Sequence, residues 1–130
     1  MAVFKAINVK VGKNANLKGI INYVLKPAKT EEQLTTGFYC DVPNALESFM
    51  KTKKDFNKLK GRQYYHFVQS FPPTENITAQ QAHEVAVKFA DECAKFRGFE
   101  MIIVTHKDRD HLHTHFVMNS VNFYMATSFI

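Results

Sequence analysis

The sequence has no tryptophan and only two cysteines, Cys40 and Cys93, set far apart without a CxxC pair. That spacing gives no disulfide framework and no thiolate metal motif, so nothing in it calls for an oxidising compartment. No apolar run is long enough to span a bilayer, and the start shows no signal-peptide pattern. Internal repeats, low-complexity tracts and linkers are also missing. These absences point to one cytoplasmic domain over residues 1–130, large enough for a single core.

What is present is ordinary for a globular chain: 45% hydrophobic and 13% aromatic residues, with twelve phenylalanines. Basic residues outnumber acidic ones 17 to 12, a formal charge of +5. A surplus of this sign favours a polyanionic partner, nucleic acid ahead of an anionic membrane. Lysines gather in MKTKKDFNKLKGR, residues 50–62, which taken alone reads as a solvated helix end and loop.

Periodicity divides the chain into eight elements. AVFKAINVK reads as a strand, and Leu17, Ile20, Ile21, Val24 and Leu25 fall at helical spacing before Pro27. TTGFYCD is a strand candidate, and Asn44 is placed to cap a helix carrying Leu46, Phe49, Met50 and Phe56. RQYYHFVQSF is a strand stopped by Pro72 and Pro73. Thr78 and Gln81 form a capping box that opens a helix with Ala82, Val85, Ala86, Phe89, Ala90, Cys93 and Phe96 on its stripe. Gly98 is its expected stop, and His83 reads as exposed on the polar side. FEMIIVTH and LHTHFVMNSVNF follow as a hairpin around KDRD. The order implies an α+β fold, an antiparallel sheet with helices mainly on one face and the other face free for a site.

Four of the six histidines fall in THKDRDHLHTHFVMNSVN, residues 105–122. Alternation puts His113, His115, Val117 and Asn119 on one side of the last strand. A four-residue turn would bring His106 opposite His111. Three imidazoles with an open coordination position suit a catalytic metal, and Asp108 or Asp110 can orient a ligating ring.

HKDRDHLHTHFVMNSVN resembles the third motif of the relaxases, mobilisation nucleases of the HUH endonuclease superfamily. LKGIINYVLKPAKT resembles their first motif, which carries a nucleophilic tyrosine, and YYHFVQSFPPTENITAQQAHEVAVKFADE resembles the second. The resemblance implies a ferredoxin-like or RRM-like core that nicks single-stranded DNA at a transfer origin and leaves a 5′-phosphotyrosine. It implies Tyr23 as nucleophile, and helical geometry agrees, because Tyr23 lies off the centre of its apolar stripe. Tyr64 and Tyr65 are competitors better explained by sheet packing.

In this reading His106, His113 and His115 hold a divalent ion, and His111 or His66 takes the phenolic proton with Asp108 as orienting partner. The resemblance implies Mn²⁺ or Mg²⁺, and all-histidine ligation also admits Zn²⁺ or Ni²⁺. Ser70, Asn119, Lys26 and His66 are the candidate DNA contacts, and other relaxosome proteins are possible partners. Thr114 stands where the family motif has a bulky hydrophobe. The chain also stops directly after the third motif, so it is expected to lack the C-terminal part of the domain. Two other readings compete. One is an inactive remnant that binds metal and single-stranded DNA. The other is a small-substrate hydrolase that uses metal-bound hydroxide and forms no covalent intermediate.

Overall fold

The computed structural model describes residues 3–7, 16–107 and 111–125. Five strands form one antiparallel sheet: β1 (Val3–Ile7), β2 (Thr35–Phe38), β3 (Tyr64–Phe71), β4 (Met101–His106) and β5 (Leu112–Asn119), in spatial order β1-β3-β5-β4-β2. Three helices join them: α1 (Leu17–Val24), α2 (Ala45–Asp55) and α3 (Ala79–Glu92). The α+β class and the order of all eight elements follow the sequence pattern. Among the described residues no helix is long and apolar enough to cross a membrane.

The helices divide between the two faces. Leu17, Ile21 and Val24 of α1 and Ala45 and Phe49 of α2 pack on Tyr64, Ile102, Val104 and Val117. On the other face Ala86 and Ala90 of α3, with Phe96 and Phe99, pack on Tyr65, Phe67, Met101, Ile103, Phe116 and Met118. The histidine strand positions therefore share a face with α1 and α2, and the expectation of an uncovered histidine face is corrected. Burial of Tyr64 and Tyr65 in opposite cores assigns both to sheet packing.

Local chemistry fixes the helix ends. Asn16 caps α1 by accepting from the Gly19 amide, and Thr78 and Gln81 of α3 exchange both capping-box bonds. The α3 helix ends earlier than its stripe suggests. A 3₁₀ turn, Ala94–Phe96, then carries Phe96 into the core before Gly98 turns at φ 85°. Val85 and Phe89 are exposed, while Ala82, Ala86 and Ala90 face the sheet. Three small side chains bring the helix close, and His83 is drawn in with them.

The largest departure from the pattern is Lys53, expected to be solvated and found fully buried. Its ammonium donates to the Gln63 carbonyl (2.7 Å), to Ser120 Oγ (2.8 Å) and to Asn119 Oδ1. Asn119 Nδ2 in turn donates to Glu100 Oε1 (3.0 Å), which places a carboxylate one amide away from the cation. Burial pushes the Lys53 amine down to about 8, with Glu100 opposing that shift. Removing one member of a buried charge pair strands the other. We expect Lys53→Met to cost about 3 kcal/mol or more in urea unfolding, against roughly 0.5 kcal/mol or less for its exposed neighbour in Lys54→Ala. The pH dependence has a defined sign. Between about 8 and the unbound lysine value of 10.5, the unfolded chain holds the Lys53 proton that the folded chain has released. Raising the pH through that window therefore stabilises the wild type relative to Lys53→Met, measured as a widening gap between their urea midpoints.

Candidate active site

Strand pairing assembles the site. Directly opposed residues of an antiparallel pair share a face. His106 lies opposite His113, and His113 lies opposite Ser70 on the next strand; two rungs away, on the same face, Val104, His115 and Val68 are aligned. His106 therefore faces His113 rather than His111, which sits before β5 on the exposed rim. The His111 and His113 rings are stacked, 5.9 Å apart and 5° from parallel. Asp108 and Asp110 lie outside the described residues.

The imidazoles form a contiguous group. Ring centroids are 4.3 Å apart for His106 and His115, and 5.1 Å for His66 and His115. His66 Nε2 and His115 Nδ1 share a hydrogen bond of 2.8 Å. Burial first, and then the neighbouring histidines, hold the His66 ring down to about 4 and the His115 ring down to about 3. Both are therefore neutral at pH 7. His106 Nε2 donates to the Val24 carbonyl at 2.8 Å, which sets its tautomer and ties the last turn of α1 to β4.

That tie places Tyr23. The helix buries Leu17, Ile21 and Val24, which leaves the Tyr23 ring on its flank, 41% exposed. It lies edge-on to His106 and His115, with centroids 6.0 and 6.3 Å away. Two ammonium groups lie over the ring, Lys29 at 5.3 Å and Lys26 at 5.9 Å. Lys29, which the motif reading passes over, also contributes to the depressed titration of His115. Its turn is pinned on both sides: the Lys107 amide donates to the Lys29 carbonyl, and Thr30 Oγ1 donates to the Thr105 carbonyl. The signal available in the sequence was a lysine shortly after a helix-ending proline beside the tyrosine.

Asn119 does not join this group. It shares the face but lies at the far end of β5, fully buried. Its amide is bonded to Lys53, to Glu100 and to the Phe49 carbonyl. The expected DNA contact at Asn119 is corrected for that reason. His83 is likewise corrected from exposed to 4% exposed. Its Nδ1 meets Thr105 Oγ1 (2.8 Å), its Nε2 meets Thr36 Oγ1 (2.7 Å), and Thr105 in turn meets Thr114 (2.8 Å). This polar row lies on the α3 side of the sheet, directly behind the histidines.

The donor chemistry suits a divalent cation. A ligating imidazole ordinarily donates its other N–H to a carbonyl or similar acceptor, and His106 does so to Val24. Among the described residues, however, no group of three or more His, Cys, Asp or Glu side chains stands in metal-holding geometry.

Comparison with known proteins gives the family. The family described as relaxase, MobA/VirD2-like, nuclease domain, matches residues 23–129. A protein named rlx from Staphylococcus aureus is 33% identical over 87% of this chain and 33% of its own length. The group II intron-interrupted relaxase LtrB of Lactococcus lactis subsp. cremoris is 31% identical over 88% of this chain and 25% of its own. The chain thus spans a third or less of these curated relatives, and no solved structure matches it. With the family match covering most of the chain, from Tyr23 through the histidine strand, the chain belongs to the relaxase family, as a MobA/VirD2-like nuclease domain.

Proposed function

We propose that this domain nicks single-stranded DNA at a transfer origin by metal-assisted transesterification, with Tyr23 as the nucleophile. The observation that carries this reading is the half-exposed Tyr23 ring, set edge-on to His106 and His115 and beneath two lysine ammonium groups.

His106, His113 and His115 would hold the ion, Mn²⁺ or Mg²⁺ first and Zn²⁺ or Ni²⁺ by donor chemistry. When bound, such an ion polarises the scissile phosphate and offsets charge in the transition state. The chain's own groups do the rest. Tyr23 Oη attacks phosphorus, the P–O3′ bond breaks, and the products are a 5′-phosphotyrosine and a free 3′-hydroxyl. The phenolic proton passes to an imidazole, His111 at the rim or His66 behind His115, with Asp108 as the orienting carboxylate. The departing 3′ oxygen takes up a proton from solvent. The phosphodiester energy is kept in the ester, which lets the strand be rejoined. Ser70, across from His113, and Lys26 contact flanking phosphates. Lys29 covers the Tyr23 ring and lies close enough to His115 to influence it, so its ammonium meets the non-bridging oxygens of the scissile phosphate as charge develops there.

Two measurements test this. Incubated with Mn²⁺ and labelled single-stranded DNA, the protein should retain DNA after denaturation, and both Tyr23→Phe and His113→Ala should lose the adduct. An adduct that survives Tyr23→Phe removes Tyr23 from the mechanism, and DNA binding without any adduct leaves a binding module. Lys29→Ala should slow adduct formation by roughly 10- to 100-fold while DNA affinity changes far less, and Lys29→Arg should recover part of the rate. Equal losses of rate and affinity would make Lys29 a simple binding residue.

A further inference from the structure

A second charged feature lies at the opposite end of the sheet from His106 and His113. The connection between α2 and β3 carries Lys58, Lys60 and Arg62. It is a built loop. Asn57 and Gly61 take left-handed backbone angles, φ 55° and 87°. Gln63 Nε2 donates to the carbonyls of Leu59 and Gly61, both at 3.0 Å. The Lys58 amide donates to the Lys53 carbonyl at 2.7 Å, and the buried Lys53 ammonium holds the Gln63 carbonyl from below. Arg62 stacks over the Tyr65 ring, its guanidinium carbon 4.7 Å from the centroid.

This loop closes an open concavity of about 670 Å³ lined by Asn57, Lys58, Lys60, Arg62 and Ser120. No acidic side chain lines it among the described residues. The Lys53 ammonium lies just beneath it, bonded to Ser120 Oγ. Three like charges displayed around one hollow, above a fourth, repel one another, and the loop is held in that arrangement by the Gln63 and Lys53 hydrogen bonds. An anion with several separated charges answers that arrangement better than a single small ion does.

Position narrows the anion. Tyr64, at the start of β3, pairs with Asn119, and Ser70, near its end, pairs with His113. Six strand residues separate those rungs, roughly 20 Å at the usual rise. We propose that the α2–β3 loop is a second DNA-backbone site, gripping phosphates of the same strand roughly 20 Å from the scissile bond. The inference rests on the nicking reading above, and it sets which part of the substrate this end of the domain holds.

Salt dependence tests it, because each neutralised phosphate of a single strand adds about 0.7 to the slope of log affinity against log salt. On a strand of about 30 nucleotides, the triple variant Lys58→Ala, Lys60→Ala, Arg62→Gln should lower that slope by roughly 2. On a strand of about 4 nucleotides centred on the cleavage site, too short to reach roughly 20 Å to either side, affinity and adduct rate should match the wild type. A control removing equal charge from the exposed α3 side, Lys88→Ala, Lys95→Ala, Arg97→Gln, should leave the long-strand slope nearly intact. An unchanged slope in the triple variant overturns the second site, as does an equal loss in the control, which would mean a diffuse field. Wild-type protein that binds neither strand overturns the nicking reading instead, so the two failures are distinguishable.

Discussion

The pairing of β5 with its two neighbours is the constraint on which the rest of the site depends. Residues from β3, β5 and β4 meet on alternate rungs, so Ser70, His113 and His106 form one row and Val68, His115 and Val104 the next on the same face. Side chains opposed in this way come within reach of one another without help from a loop. The imidazoles are thus carried on the inner strands of the sheet, and sites built on strands hold their geometry more closely than sites on loops. Tyr23 arrives from elsewhere, on a short helix whose final carbonyl is held by one of the same histidines. Helix and sheet are joined beside the Tyr23 ring.

Along the face covered by α1 and α2 the sheet changes character. At one end, imidazole rings meet each other and a helix carbonyl. In the middle, Ile102, Val104 and Val117 receive the apolar sides of α1 and α2. At the far end, a charged amine is buried. An ammonium has three donors, and Lys53 finds three oxygens, from Gln63, Asn119 and Ser120. Complete satisfaction is what makes a buried charge tolerable. The same bonds fasten the end of β5 to the start of β3 and to α2, so the cation organises the loop that follows it.

Much of this was legible in the chain. Hydrophobic spacing located the elements, a capping box fixed the start of α3, and alternation placed His113 and His115 on one face. The off-centre position of Tyr23 on its stripe was visible for the same reason. What escaped were contacts between residues distant in sequence. Nothing local marks Lys53 for burial, because Asn119 and Ser120 lie 66 and 67 residues further on. His83 looked polar-facing because Val85 and Phe89 outweigh alanines on any hydrophobic scale, yet close approach to the sheet favoured the small side chains. The pairing of His106 was misjudged by two residues, since turn length, not strand pattern, decides where a hairpin begins to pair.

The threonines behind the histidines have a consequence for folding. Both strands alternate at this end, Val104-Thr105-His106 on one and His113-Thr114-His115 on the other, with hydroxyls directed towards α3 and imidazoles towards α1. Sliding either strand by a single position would exchange its faces. An imidazole would be thrust among Phe67, Phe116 and Phe96, and the threonine bonded to His83 would lose its partner. A misaligned hairpin is therefore penalised on both sides of the sheet at once. The polar residues act as teeth of a ratchet, so a chain that closes its core has, by the same event, aligned its histidines.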